Sequence, residues 1–204
     1  VAKGVKHFFE DNKVEHHLDD SQLATLVSIL QTDKNRPVCL IALFLLSTGA
    51  RLNEALQATW KQIDRPNATW RIPASNSKSK RVRSVPLNDS AIEVLNQVDV
   101  EGKGEYVFVN RHSKQPYVTI HKAWGRIRTQ AKLPQLRLHD LRHQYASFLV
   151  NNGRTLFEVQ QILGHSDPKV TMRYSHLSSK SLLSAANTAS DMIKGASQVP
   201  QAPQ

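Results

Sequence analysis

One short segment carries two side chains that together could bind a phosphate. His139 and Arg142 are three residues apart in HDLRH, so on a helix both project from one face. An imidazole beside a guanidinium forms a site for an anionic oxygen, because the planar guanidinium can donate to two phosphate oxygens at once. Taken alone, the segment is equally consistent with a helix N-terminus bearing ordinary surface charge.

A second arginine lies upstream in TGARLNEAL, residues 48–56. Gly49 is predicted to end one helix, and Arg51 to begin the next. The alternative is a helix end with a surface Arg51–Glu54 pair, which would contribute little to stability.

A candidate nucleophile lies downstream in LGHSDPKVTMRYSH, residues 163–176. His165 follows a predicted helix end at Gly164, and Tyr174 comes nine residues later. Because polar residues and Arg173 flank Tyr174, we expect it to be exposed on a basic element, where it could act as a nucleophile. The alternative is a tyrosine that packs its ring and hydrogen-bonds its hydroxyl.

The charge of the chain favours a polyanionic partner. Its 204 residues contain 27 Lys and Arg against 17 Asp and Glu, a net charge of +10. Nucleic acid is the first candidate and an anionic membrane surface the second. The bases gather in two stretches, residues 71–83 and 122–142, as a phosphate-binding surface requires. The candidate DNA contacts in these stretches are Lys80, Arg81, Arg83, Lys122, Arg126 and Arg128.

Composition excludes several other classes. A hydrophobic fraction of 40% argues against a disordered chain, and no apolar run has the roughly 20 residues that a membrane span needs. The one cysteine, Cys39, excludes an internal disulfide framework and a multi-cysteine zinc site. The sequence also has no acidic metal cage and no Walker-type glycine loop, so we expect neither a metal nor another cofactor.

The elements that would position these residues are mainly helical. Periodicity and capping signals predict helices over residues 21–30, 37–47, 52–58, 89–95, 118–131, 139–151, 156–163, 168–174 and 182–193. Segments 60–63, 70–72 and 81–85 predict a small three-stranded antiparallel sheet, and residues 106–109 a short extended piece. The fold class is therefore α+β. We assign a lead-in to residues 1–17, one domain to residues 18–194 and a disordered tail to residues 195–204.

Together, these segments resemble the tyrosine recombinases, or phage integrases, in residue type, order and spacing. TGARLNE is similar to the family's first arginine box, and HDLRHQYAS to its second. SKSKRVRSVPL resembles the family's sheet hairpin, in which a lysine precedes an Arg-x-Val-Pro-Leu pattern. LGH with a tyrosine nine residues later is similar to the third box. The resemblance covers roughly residues 5–180 and implies the catalytic core of DNA breaking-rejoining enzymes.

The resemblance implies a role for each matched residue. Arg51 and Arg142 would clamp the scissile phosphate, and His139 and His165 would hydrogen-bond it and assist proton transfer. Tyr174 would attack the phosphorus.

Three further roles come from the same resemblance. Lys78 would be the general acid for the leaving 5′ oxygen, although Lys80 is close enough in sequence to take that role. Glu54 would orient Arg51, and His143 would support the helix packing or the hydrogen bonding of the site.

The implied activity is site-specific DNA recombination or integration, independent of metal and ATP, through a 3′-phosphotyrosyl intermediate. Alternatives are a type IB-like topoisomerase, a resolvase of DNA ends, or a DNA-binding relative that has lost catalysis. The implied partner is double-stranded DNA, bound by a homotetramer that exchanges C-terminal segments, with a monomer as the alternative in isolation. The family's separate N-terminal clamp domain has no match here, so we expect weak sequence-specific binding. The implied location is the cytoplasm of a bacterial or phage-infected cell, associated with the nucleoid.

Overall fold

Helices surround a small sheet in the computed structural model, which describes residues 17–77, 80–99, 104–110, 112–178, 186–188 and 190. The helices are α1 Asp20–Thr32, α2 Arg36–Thr48, α3 Leu52–Leu56, α4 Asp89–Asp99, α5 His121–Gln130, α6 Leu138–Asn151, α7 Leu156–Leu163 and α8 Pro168–Met172. The strands are β1 Ile63–Asp64, β2 Thr69–Ile72 and β3 Arg83–Pro86, in one antiparallel sheet of order β1-β2-β3. This mainly helical α+β architecture confirms the predicted fold class.

Helix α2 forms the centre of the core, packed against α1, α4 and α6. It is apolar on nearly all sides, as a helix surrounded by others must be. Phe44 of α2 packs against Trp70 of β2 and against Phe108, each with ring centroids 5.4 Å apart. These contacts fix the sheet to the helical core, and with it the hairpin that follows.

The register of the sheet decides which side chains of β3 point inward. Trp70 pairs with Val85, and Ile72 pairs with Arg83. Successive side chains of a strand alternate between its faces, so Arg83 and Val85 share one face. Both are buried, whereas Ser84 and Pro86 are exposed.

A smaller apolar cluster joins α6 and α7 to the chain that follows them. Its buried members are Tyr145, Ala146, Val150, Val159, Leu163 and Tyr174. Helix α7 is capped by Thr155, which accepts the Glu158 N–H at 3.2 Å, and it ends at Gly164 with φ +65°. The predicted start and end of this helix are confirmed.

Several predicted boundaries are wrong in detail; for example, the 81–85 strand is Arg83–Pro86 and the 168–174 helix ends at Met172. Residues Trp60–Gln62 form a 3-10 turn, so only Ile63 of the predicted 60–63 strand lies in β1. The helix predicted from residue 118 begins at His121, and Val118 is 92% exposed. The extended piece predicted over residues 106–109 takes the form of two isolated bridges, from Tyr106 to Thr59 and from Val109 to Pro116.

Some predictions concern residues that lie outside the described part of the chain. Residues 1–16, Lys78 and the 195–204 tail lie outside the described residues, as does most of the predicted last helix. Ala186, the described member of that helix's apolar stripe, is helical and exposed. The domain boundaries therefore stay predictions. No helix within the described segments is long and apolar enough to cross a membrane.

Candidate active site

Arg51 is held at the start of α3 by Glu54. The Arg51 backbone N–H donates to Glu54 Oε2, and its Nη1 donates to Glu54 Oε1, both at 2.9 Å. The Glu54 side chain is 1% exposed, whereas that of Arg51 is 24% exposed. The carboxylate thus orients a guanidinium that still reaches solvent, and the surface pair considered from sequence is in fact half buried.

Arg142 enters the same region from the first turns of α6. Its Nη1 donates to the Gly49 carbonyl at 2.7 Å and its Nη2 to the Leu163 carbonyl at 2.8 Å. Burial, and then the charges of Arg51 and Arg83, lower the pKa of Arg142 to about 9, so it remains a cation at neutral pH. Each terminal nitrogen carries a second hydrogen that can be donated to an anion.

Arg83 joins the two halves of this arrangement. Its Nη2 donates to Glu54 Oε2 at 2.7 Å, and its Nη1 donates to the carbonyls of Ile162 at 2.9 Å and Leu163 at 2.7 Å. With only 7% of the residue exposed, Arg83 does not lie on the surface where a DNA contact was expected. We call Arg51, Glu54, Arg83, Arg142 and the Leu163 carbonyl the arginine hub.

His165 follows α7 directly and faces these cations. Its Nδ1 lies 2.8 Å from the Oγ1 of the buried Thr171. Burial, and then the charges of Arg142 and Arg51, lower the pKa of His165 to about 3. The ring is therefore neutral at pH 7. If Nδ1 accepts from Thr171, Nε2 carries the proton and can donate to a phosphate oxygen.

The two histidines of α6 contact each other edge to face. The ring centroids of His139 and His143 are 4.8 Å apart, with an interplanar angle of 89°. Protein atoms around the partly exposed His139 ring, and then the Arg142 charge, lower its pKa. His139 and Arg51 both line a cavity of about 530 Å³, together with Leu52, Asn53, Glu54, Gln57, Ser75, Asn76 and Ser77.

Tyr174 is buried, contrary to the exposed position expected from its polar neighbours. It is 1% exposed in the cluster between α6 and α7, and its hydroxyl lies 2.6 Å from His143 Nδ1. It is also close enough to Arg142 to interact with it electrostatically. The tyrosine thus adjoins the arginine hub, with its hydroxyl bonded to the residue that follows Arg142.

The candidate lysines belong to the stretch of sequence between β2 and β3. Lys78 falls outside the described residues, so its geometry is not assigned. Lys80 is exposed, with φ +52°. The choice between the two lysines stays open.

The other predicted DNA contacts differ in how they are held. Arg81 and Lys122 are exposed. Arg126 is exposed too, but donates to both carboxylate oxygens of Asp33 at 2.6 Å, and Arg126 lowers the pKa of Asp33 to about 2. Arg128 donates to the Leu136 carbonyl at 3.0 Å. The Arg126 guanidinium therefore already has an acidic partner within the domain.

Two residues of the site were not found, or not assigned correctly, from sequence. Thr171 carried no motif signal, since its relation to His165 depends on how α8 follows α7. Arg83 did carry one, because strand alternation with Val85 predicts an inward side chain. Within the described segments, no group of three or more His, Cys, Asp or Glu residues could hold a metal ion.

Comparison with known proteins agrees with this geometry. The phage integrase family model matches residues 16–181. The integrase of Haemophilus phage HP1 is 31% identical over 183 residues, which are 89% of this chain and 50% of that protein. The chain spans 39% to 50% of the length of the phage integrases of P22, HP1, Pf1 and P2.

Solved structures give the same result. The catalytic domain of bacteriophage HP1 integrase has a TM-score of 0.64 and 28% identity, covering 84% of this chain and 93% of that one. The XerH site-specific recombinase, bound to a palindromic difH substrate in a post-cleavage complex, has a TM-score of 0.69 and 26% identity. Its match covers 86% of this chain and 53% of that one. With a family model that accounts for most of its length, this chain belongs to the phage integrase family.

Proposed function

We propose that this chain cuts and rejoins DNA strands in site-specific recombination or integration, using Tyr174 as the nucleophile. The observation that carries the proposal is the arrangement around α6. Arg142 and Arg51 share a network with a neutral His165 nearby, and Tyr174 is hydrogen-bonded to the residue next to Arg142. Membership of the phage integrase family supports the same reading.

In this proposal, Arg51 and Arg142 stabilise the negative charge of the scissile phosphate. A phosphodiester is an anion, and the pentacoordinate transition state places more charge on the equatorial oxygens. Guanidiniums already fixed in place stabilise that charge without reorganising, and one such donor contributes roughly 10²- to 10³-fold in rate. Neutral His165 and His139 add N–H donors to the same oxygens.

The covalent step exchanges one ester bond for another. The Tyr174 oxygen attacks phosphorus, and the bond from phosphorus to the 5′ oxygen breaks. The phenolic proton passes to a base, and His143 Nδ1 at 2.6 Å is in position to accept it. The leaving 5′ oxygen takes a proton from a general acid, which we assign to Lys78. The products are a 3′-phosphotyrosyl enzyme and a 5′-hydroxyl, and the reverse attack rejoins the strand.

The proposed substrate is double-stranded DNA. Exposed Arg81, Lys80 and Lys122 supply phosphate contacts on the basic surface, and the structurally similar Tn1549 transposon integrase is in complex with a circular intermediate DNA. We extend the proposal to a homotetramer on DNA that exchanges C-terminal segments, in the cytoplasm and nucleoid of a bacterial or phage-infected cell. Residues 18–194 would form the catalytic domain.

The test requires no knowledge of the target site. The protein and its Tyr174→Phe variant are incubated with supercoiled plasmid in EDTA and quenched with SDS, and protein-linked nicks and relaxed plasmid are measured. We expect both products from the parent and neither from the variant, because phenylalanine has no nucleophilic oxygen. Equal activity of the two proteins would contradict the assignment of Tyr174. Binding of the plasmid by both proteins without adducts would favour a relative that only binds DNA.

A further inference from the structure

The least expected feature of the site is the burial of Arg83. The sequence predicts Arg83 as one of several DNA contacts in the basic stretch of residues 71–83, yet its side chain is 6% exposed. Its neighbours Arg81 and Val82 are exposed. A guanidinium in this position, with both terminal nitrogens donating inside the protein, cannot contact a DNA phosphate without leaving its partners.

Two of the three acceptors that Arg83 uses, Glu54 and the Leu163 carbonyl, are shared with an arginine of the predicted clamp. Glu54 Oε2 accepts from Arg83 Nη2 and from the Arg51 backbone, while Oε1 of the same carboxylate accepts from Arg51 Nη1. The Leu163 carbonyl accepts from Arg83 Nη1 at 2.7 Å and from Arg142 Nη2 at 2.8 Å. The Arg83 guanidinium therefore holds Glu54, which binds Arg51, in a fixed position relative to the Leu163 carbonyl, which binds Arg142.

The end of α7 is shaped to admit this side chain. Gly164 has φ +65°, and a Cβ built on it would overlap Arg83 Cδ and lie 3.1 Å from Arg83 Nε. Any other residue would force the arginine out of its position. Since His165 follows Gly164 directly, the same contact also places the histidine.

We propose that Arg83 is a positioning residue of the phosphate clamp, aligning Arg51 through Glu54, and Arg142 and His165 through the end of α7. This inference rests on the proposed function, since it assigns Arg83 a task within that chemistry. Arg83 also adds a third positive charge to the hub, and that charge is one cause of the lowered pKa values of Arg142 and His165.

The test compares Arg83→Gln and Arg83→Lys with the parent in the plasmid assay, at temperatures where denaturation curves show each variant folded. The matched control is Arg154→Gln, which removes an exposed arginine 4.0 Å from Glu158. The rate of adduct formation is measured as a function of plasmid concentration, giving a limiting rate and a half-saturating concentration.

We expect Arg83→Gln to lower the limiting rate about 10- to 100-fold, as a displacement of about 1 Å in a reacting group can do. The half-saturating concentration should stay within about twofold, because Arg83 does not touch DNA. Arg83→Lys should lie between Arg83→Gln and the parent, since an ammonium can pair with Glu54 but lacks the planar fork. Arg154→Gln should match the parent.

Two results would overturn the inference. One is a limiting rate for Arg83→Gln, or for Arg83→Lys where the glutamine variant does not fold, that equals the parent's. The other is a loss that appears only as a higher half-saturating concentration, which is the signature of a DNA contact. An inactive parent would contradict the proposed function instead.

A second readout does not depend on activity. The titration of His165 is followed by NMR in the absence of DNA. Removing the Arg83 charge should raise the pKa of His165 in Arg83→Gln, while Arg154→Gln leaves it unchanged. An unshifted His165 in Arg83→Gln would overturn the coupling whether or not the parent cleaves DNA.

Discussion

The arginine hub and the Tyr174 segment, residues 168–178, both attach to α6 but are held by different forces. In the hub, charged hydrogen bonds link residues far apart in sequence, as between Arg83 and Glu54 at 2.7 Å or Arg142 and the Gly49 carbonyl at 2.7 Å. The Tyr174 segment consists of the short helix α8 and a 3-10 turn, Ser175–Ser178. Its backbone bonds are local, such as Tyr174 N–H to the Thr171 carbonyl.

This difference separates the two tasks of the proposed chemistry. The groups proposed to bind phosphate are built into the junction of α2, α3, β3 and α7, so moving them would disrupt the core. Tyr174, the proposed nucleophile, is attached by apolar packing and by its bond to His143, which a change confined to one segment can release. Short elements with local hydrogen bonds open at lower free energy than the core does. We therefore expect the proposed clamp to be preformed and Tyr174 to be the part that can be repositioned.

The largest effect should come from Arg142→Gln. It removes a guanidinium at the centre of the hub and leaves the Gly49 carbonyl without that donor. We expect the rate of adduct formation to fall by roughly 10²- to 10³-fold, as when one fixed donor is removed from a transition-state site. The measurement is the plasmid assay at saturating DNA, with Arg154→Gln as the arginine control. A loss below about threefold would mean that the hub is not the site of charge stabilisation.

A pair of glycines tests how tightly the hub is built. Gly164 and Gly153 both have positive φ, +65° and +80°, but a Cβ on Gly164 would overlap Arg83, whereas a Cβ on Gly153 would have nothing within 4 Å. Gly153→Ala should cost only the left-handed backbone strain, about 1 kcal/mol. Gly164→Ala should cost about 2–4 kcal/mol, because overpacking adds to the strain. Urea unfolding curves give both losses in the free energy of unfolding. Equal losses would show that the Arg83 side chain can move away from the new Cβ at little cost.

The pH dependence of stability tests the electrostatics of the hub. The unfolded chain binds a proton at His165 near its ordinary pKa of 6.5, whereas the native state binds one only near pH 3. The unfolded state therefore holds more protons between these values, and the free energy of unfolding should fall on acidification, by about 1 kcal/mol per pH unit between pH 6 and 4.

Unfolding of the parent and of His165→Asn at a series of pH values isolates this contribution. The variant should show a shallower slope over the same range, since asparagine does not titrate. Identical slopes would mean that the surrounding cations leave His165 unaffected.

The smallest effect concerns the attachment of the tyrosine. A double-mutant cycle with His143→Ala and Tyr174→Phe should give a coupling of about 1 kcal/mol in the free energy of unfolding, the usual worth of a buried hydrogen bond. The control cycle pairs His143→Ala with Tyr145→Phe, a tyrosine of the same cluster, and should give a coupling near zero. A coupling several times larger would mean that Tyr174 is held as rigidly as the arginine hub, which would remove the contrast between the two regions.

Local chemistry made much of this fold predictable. Asp19 accepts the Gln22 N–H at the predicted start of α1, and Gly49 and Gly164 end helices where the sequence indicated. The Arg51–Glu54 pair follows from helical spacing and is present. Partners distant in sequence could not be predicted in the same way, because nothing near Arg126 in the chain indicates Asp33.

The burial of Tyr174 shows a different limit. Its immediate neighbours are polar, which favoured an exposed side chain, but α8 spans only five residues, too few to show a periodic apolar stripe. The partners that bury Tyr174 come from α6 and α7. Burial in so short an element depends on tertiary packing, which local hydrophobicity patterns cannot predict.

The acceptors that hold Arg142 carry a consequence for how this site can vary. Both are main-chain carbonyls, those of Gly49 and Leu163, and every amino acid has one. Point substitutions at these positions cannot delete the acceptors, but only shift them by altering where α2 and α7 end. Substitutions that keep the buried apolar positions of α7 should therefore be tolerated, while insertions or deletions that change helix length should abolish activity.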